Sequence, residues 1–75
     1  MTRDEFISTL VDILDLPKND FSLERELSSI KAWDSVGILD VITLMQEIGA
    51  KVRVDHLREC QTITDMLKLV ENQLD

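Results

Sequence analysis

Apolar residues recur at helical spacing in three separate stretches of this 75-residue chain. In the first stretch they stand at i, i+4, i+7 and i+8, namely at Phe6, Leu10, Ile13 and Leu14. Thr2 and Glu5 precede them at the spacing of a capping box, in which each side chain accepts a hydrogen bond from the other residue's backbone N–H. Pro17 cannot continue a helix. We therefore predict a first helix over residues 3–16.

The second stretch predicts a helix over residues 35–48. Gly49 follows it, and glycine is the residue type favoured just beyond a helix end. The apolar positions make a face wider than a surface helix needs, formed by Val36, Leu39, Ile42, Leu44, Met45 and Ile48.

The remaining helical stretches are close to the end of the chain. The segment VDHLREC predicts a short third helix with Leu57 facing inward. Thr62 and Asp65 predict a capping box at the start of a fourth helix. Its apolar face consists of Ile63, Met66, Leu67, Val70 and Leu74. The segment AKVRV before the third helix is too short for a helix and has no strand partner, so we expect a loop there.

A long connection over residues 17–33 separates the first two helices. We expect a turn at residues 18–20 and, within SLEREL, a brief helical turn. Loops of this length are uncommon unless their own side chains pack. Four apolar residues supply that packing, namely Phe21, Leu23, Leu27 and Ile30. The expected fold class is all-α: one domain, 1–75, forming a small antiparallel four-helix bundle of three longer helices and a short third one.

Charge and cysteine content narrow the function classes. Fifteen acidic against eight basic residues give a net charge of −7, which repels nucleic acid and anionic lipid. No apolar run is long enough to span a bilayer, and MTRDEFI lacks the pattern of a signal peptide. The single Cys60 cannot form an internal disulfide. We expect a soluble cytoplasmic monomer without nucleic acid or stable membrane insertion, whose acidity serves either a basic partner or solubility alone.

Two polar residues, Asp34 and Ser35, stand side by side where the second helix begins. Both are favoured N-cap residues, so one of them is expected to cap the helix. The start of a helix also offers free backbone N–H groups and the positive end of the helix dipole, which together stabilise a phosphate. From the residues alone, Ser35 is either a cap or the carrier of a phosphodiester.

The stretch WDSVGILDVITLMQEI resembles the D-S-L motif of acyl carrier proteins, with Asp34, Ser35 and Val36 at the three motif positions. The similarity covers nearly the whole chain. It includes an apolar first helix that ends near a proline, a long loop with Leu23 and Leu27 as apolar plugs, and a short third helix before the last one.

This resemblance implies a non-enzymatic carrier. In the family a phosphopantetheinyl transferase moves 4′-phosphopantetheine from coenzyme A onto the motif serine, here Ser35, and the thiol of the arm then holds acyl groups as thioesters. Asp34 either caps the helix or helps to position the metal of the transferase. Val36 contacts partner enzymes, packs in the core, or does both. Asp40 and Glu47 match acidic positions that contact acyl-loading and acyl-using enzymes.

Departures from the fatty-acid carriers indicate a more specialised role. Gly37 and Gln46 replace acids that are common there, and Lys51, Arg53 and Arg58 place bases beyond the second helix. We expect a specialised acyl, polyketide-type or fatty-acid-related pathway. Because Gly37 is similar to the glycine of D-alanyl carrier proteins, an aminoacyl carrier is the runner-up.

Three other functions compete with the carrier. His56 and Cys60 lie one helical turn apart, as in half a zinc site or a Cys-His nucleophile, but zinc takes more ligands and a nucleophile needs a further orienting group. We expect Cys60 to be a small buried apolar residue and His56 a solvated one. The rival from a different class is an unmodified acidic helical module that binds a basic protein through Asp40, Glu47 and the acids of the loop.

Overall fold

Four α-helices make up most of the computed structural model, which describes residues 1–17 and 21–75. They are α1 (Arg3–Ile13), α2 (Ser35–Glu47), α3 (Val54–Glu59) and α4 (Ile63–Val70), and short 3₁₀ turns occur at Leu27–Ser29 and Glu71–Gln73. The described residues contain no strand. The all-helical class, the four helices and the short third helix are thus confirmed.

The start of α1 is the predicted capping box. The Thr2 hydroxyl accepts a hydrogen bond from the Glu5 N–H at 3.1 Å, and the Glu5 carboxylate accepts one from the Thr2 N–H at 3.0 Å. Both bonds satisfy backbone donors that have no acceptor within the helix.

The end of α1 is three residues earlier than predicted. Asp15 has a left-handed backbone, with φ 52°, and this conformation ends the helix. Its N–H donates to the Asp12 carbonyl at 3.3 Å, and the Leu16 N–H donates to the Val11 carbonyl at 3.0 Å. These two bonds form a Schellman motif, which usually has glycine at the left-handed position. An aspartate there gave no clear stop signal in the sequence.

The end of α2 uses the same motif with the expected glycine. Gly49 has φ 91°, and its N–H donates to the Gln46 carbonyl at 3.0 Å. The Ala50 N–H donates to the Met45 carbonyl at 2.9 Å. The helix ends one residue before the predicted boundary, and the role predicted for Gly49 is confirmed.

The long loop packs against the rest of the chain as predicted. Leu27 and Ile30 are buried, and Phe21 and Leu23 are partly buried against the same core. Backbone bonds hold the loop to the start of α4: the Leu27 N–H donates to the Gln61 carbonyl at 2.7 Å. The 3₁₀ turn begins at the last residue of SLEREL. The turn predicted at residues 18–20 lies outside the described residues.

One apolar core joins the helices. α1 packs against α2, and α2 packs against α3. In the described chain no polar or charged side chain is buried; the most deeply buried side chains are Phe6, Leu10, Leu14, Leu27, Val41, Met45, Leu57, Ile63, Met66 and Val70. The radius of gyration is 11.1 Å, close to the value of about 11 Å expected for a compact chain of this length. None of the described helices has the length and apolar character needed to cross a membrane.

The start of α4 is the second predicted capping box. The Thr62 hydroxyl accepts from the Asp65 N–H at 3.3 Å. In return, the Asp65 carboxylate accepts from the N–H groups of Gln61 at 2.9 Å and Thr62 at 3.2 Å. These backbone hydrogen bonds, with Gln61 first, lower the pKa of Asp65.

The lowered pKa of Asp65 predicts an acid-dependent contribution to stability. Because the folded-state pKa lies below the unfolded value of about 3.9, the carboxylate stabilises the fold above that pH, and the stabilisation is lost as pH falls through the folded-state pKa. We expect Asp65→Asn to lower the free energy of unfolding at neutral pH and to reduce its pH dependence below about pH 4. Chemical denaturation across this range measures both effects.

The matched control is Asp55→Asn, because Asp55 is an exposed acid in the first turn of α3 whose side chain makes no hydrogen bond to the described residues. If both substitutions changed the pH dependence of the free energy of unfolding equally, a special role for Asp65 would be contradicted.

Candidate functional site

The start of α2 is capped by Asp34. Its backbone is extended, and its carboxylate accepts a hydrogen bond from the Gly37 N–H at 3.0 Å. The Ile38 N–H donates to the Asp34 carbonyl at 2.9 Å, which closes the first turn. The sequence left the cap open between two neighbouring residues, and the structure assigns it to Asp34.

Ser35 is the first residue of α2, one position after the cap. Its side chain is exposed and makes no hydrogen bond to any described residue. The backbone N–H groups of Ser35 and Val36 likewise lack acceptors in the described chain, as expected for the first turn of a helix. The result is an accessible hydroxyl beside free N–H donors and the positive end of the helix dipole.

Gly37 brings the loop into close contact with α2. A Cβ atom at this buried position would overlap the Ala32 carbonyl oxygen. The same oxygen accepts the Asp34 N–H at 3.0 Å, and the Trp33 N–H donates to the Ile30 carbonyl at 3.0 Å. The segment before Ser35 is therefore held in a tight turn against the helix, and a side chain at position 37 would displace it. The sequence carried no sign of this contact, because it depends on the fold of the loop.

Two apolar residues of α2 face outward, contrary to the prediction. Val36 and Leu39 are 66% and 57% exposed, whereas the buried residues are Gly37, Val41, Ile42, Leu44 and Met45. The predicted apolar face was wrong at these two positions, because at 100° per residue they fall on the side opposite the buried residues. Val36 is therefore excluded from the core, one of its two expected roles.

The exposed side of α2 combines these apolar residues with the predicted acids. Asp40 and Glu47 are exposed, and neither forms an ion pair with any described residue. At about 100° per residue, Asp40 and Glu47 lie within about 40° of Val36, and Leu39 and Ser35 extend the exposed side of α2 in the other direction. We call these five residues the outer face of α2. Leu39 was not predicted as a site residue, although it follows Val36, a predicted partner contact, at the i+3 spacing of neighbours on one helix face.

Comparison with known proteins found no match: no protein-family model, curated protein or solved structure matches the chain. The geometry at the start of α2 and the resemblance of its sequence to the D-S-L motif are therefore the features that point to a function.

The side chains of His56 and Cys60 make local hydrogen bonds to the backbone of α3 and the residue before it. His56 Nδ1 accepts the Arg53 N–H at 3.1 Å, and the Cys60 thiol donates to the His56 carbonyl at 3.3 Å. His56 is exposed as expected, but Cys60 is only partly buried. Burial, followed by the charges of Asp65 and Glu59, raises the pKa of the Cys60 thiol to about 11. The thiol is protonated at neutral pH and is a poor nucleophile. The described residues contain no group of three potential metal ligands.

The contact between Gly37 and Ala32 predicts the sign of a stability change. Replacing a helical glycine with alanine normally stabilises by about 0.5–1 kcal/mol. Here we expect Gly37→Ala to destabilise by about 1–3 kcal/mol, since the new methyl group must displace backbone. Chemical denaturation measures the change.

Gln46→Ala is the matched control on the exposed side of the same helix. We expect it to change the free energy of unfolding by no more than about 0.5 kcal/mol. A stabilised Gly37→Ala protein would contradict the close approach.

Proposed function

We propose that this chain is an acyl carrier protein that holds acyl intermediates as thioesters on a 4′-phosphopantetheine arm attached to Ser35. The observation that carries the proposal is the division of roles at the start of α2. Asp34 caps the helix, and the exposed Ser35 hydroxyl makes no hydrogen bond to the described residues and is open to a transferase. The D-S-L resemblance supports the same assignment.

Attachment of the arm requires an accessible nucleophile. The Ser35 hydroxyl oxygen attacks the phosphorus next to pantetheine in coenzyme A, and the bond from that phosphorus to the rest of the pyrophosphate breaks. Adenosine 3′,5′-bisphosphate leaves, and the serine proton passes to a base of the phosphopantetheinyl transferase. The free N–H groups and the dipole of α2 stabilise the negative phosphodiester that results.

The chain itself presents cargo and is not an enzyme in this proposal. When bound, the arm supplies a thiol that carries the acyl group as a reactive thioester. We also propose that the four helices form an antiparallel bundle. This bundle gives the arm a rigid attachment point at Ser35. A tether of this kind raises the effective concentration of cargo at each partner enzyme.

The outer face of α2 supplies the contact with partner enzymes. The exposed Val36 and Leu39 offer apolar area beside the attachment point, and the acids Asp40 and Glu47 favour a basic surface on the partner. We place the protein in the cytoplasm, in a specialised acyl, polyketide-type or fatty-acid-related pathway. An aminoacyl cargo, such as D-alanine, remains the second candidate because of Gly37.

The same outer face also supports a function of a different class. An apolar patch flanked by exposed acids is suited to binding a basic protein without any prosthetic group. That module would bind its partner whether or not Ser35 has a hydroxyl, which separates it from the carrier.

Loading with the arm tests the proposal. After incubation with coenzyme A, magnesium and a broad-specificity phosphopantetheinyl transferase, we expect the wild-type mass to rise by one phosphopantetheine. Ser35→Ala removes the nucleophile and should show no gain. Because Asp34 provides the cap, the free energy of unfolding of this variant should lie within about 0.5 kcal/mol of the wild-type value. A folded wild type that stays unmodified, beside a control carrier that loads, would favour the unmodified interaction module.

Charge reversal tests the outer face of α2. Asp40→Lys should slow loading or acyl transfer by about two- to tenfold at low salt, because it replaces attraction to a basic partner with repulsion. The difference should shrink as salt is raised. Steady-state rates at several salt concentrations measure it.

Glu71→Lys is the matched control, since it makes the same change in net charge at an exposed position outside α2. Equal rates for the two variants at low salt would exclude a local contact through Asp40.

A further inference from the structure

A polar cleft lies between the loop before Ser35 and the link from α3 to α4. Its volume is about 360 Å³, within the range of about 300–1,000 Å³ that is usual for small-molecule sites. Trp33 forms part of the wall on the loop side, and Arg58 and Gln61 line the opposite side. Glu26 and Ser28 add further polar side chains to the lining.

The polar side chains of this cleft are available to a ligand. Those of Glu26, Ser28, Arg58 and Gln61 are exposed and make no hydrogen bond to any described residue, and Arg58 forms no ion pair with them. Arg58 and Trp33 can only donate, Glu26 accepts, and Ser28 and Gln61 can do both. Among the described residues of the lining, one positive and one negative side chain cancel in charge. A neutral ligand with both amide N–H and carbonyl groups therefore fits better than an ion or an alkyl chain.

The cleft is within reach of a group attached to Ser35. Trp33 precedes Ser35 by two residues, so their Cα atoms are at most about 7.6 Å apart. The neutral part of phosphopantetheine, between the phosphate and the thiol, contains two amides and a hydroxyl. Its chemistry matches the mixed donors and acceptors of the cleft.

We propose that this cleft receives the amide-bearing part of the phosphopantetheine arm, so that the loaded protein holds the arm folded against Trp33 between encounters with enzymes. This inference rests on the proposed attachment at Ser35. Cys60 also lines the cleft, and its thiol, protonated at neutral pH, is a poor nucleophile toward a thioester held nearby. Docking competes with extension of the arm, and a partner enzyme that binds the thioester releases it.

Fluorescence of Trp33 tests the inference directly. Trp33 is the only tryptophan of the chain, so its quenching by acrylamide reports on the wall of the cleft. A short tether gives an effective concentration in the millimolar range, and a cleft that binds the free arm with a Kd of about 1 mM would be about half occupied. We therefore expect the quenching constant to fall by up to about half when the apo protein is loaded.

Matched variants separate docking from mere attachment near the tryptophan. Arg58→Gln removes the cationic donor of the cleft, whereas Arg53→Gln makes the same charge change at an exposed position outside the cleft lining. Intact mass confirms loading of each sample, and circular dichroism confirms its fold. Protection of Trp33 in loaded wild type and Arg53→Gln, with loss of protection in loaded Arg58→Gln, is the expected result.

Each failure has a separate meaning. Loaded wild type with the quenching constant of the apo protein would overturn the docking cleft and leave the attachment at Ser35 standing. Equal protection in the two loaded variants would also overturn it. If wild type gains no mass while a control carrier loads, the proposed function fails and this inference fails with it.

Discussion

The close approach of the Ala32 carbonyl to Gly37 determines how the long loop enters α2. With no side chain at position 37, the loop can turn tightly against the first turn of the helix. Asp34 is then in place to cap the Gly37 N–H. Ser35 is left one residue further on, exposed and without a hydrogen-bond partner among residues 1–17 and 21–75. The accessibility of the proposed attachment site thus follows from a contact that the serine itself does not make.

The features that the sequence predicted best depend on residues close together in the chain. The capping boxes at Thr2 and Thr62 and the helix stop at Gly49 involve bonds over three to five residues, so spacing alone reveals them. The end of α1 was not predicted correctly, because Asp15 adopts a left-handed backbone conformation that is usual for glycine. The outward direction of Val36 and Leu39 depends on which side of α2 meets the core. Hydrophobicity alone placed them on the wrong side.

The sequence predicted the motif residues of the candidate site, but not how those residues are arranged in space. The motif indicated Asp34, Ser35 and Val36, yet only the fold shows that the aspartate is the cap and that the valine is exposed. The polar cleft beside Trp33 joins residues from the loop, α3 and the link to α4, and no local pattern connects them. In the described chain the core is wholly apolar. The proposed chemistry therefore belongs to the surface at the start of α2, where an attached group supplies the reactive thiol.

The most direct test of this account is to locate the modification on protein purified from the cells that naturally produce it. Trypsin cleavage after Lys31 and Lys51 would release a peptide of residues 32–51, in which Ser35 is the only serine. Tandem mass spectrometry of that peptide should find one phosphopantetheine on Ser35. An arm on Ser8, Ser22, Ser28 or Ser29, or a native protein found only in the unmodified form, would contradict the account.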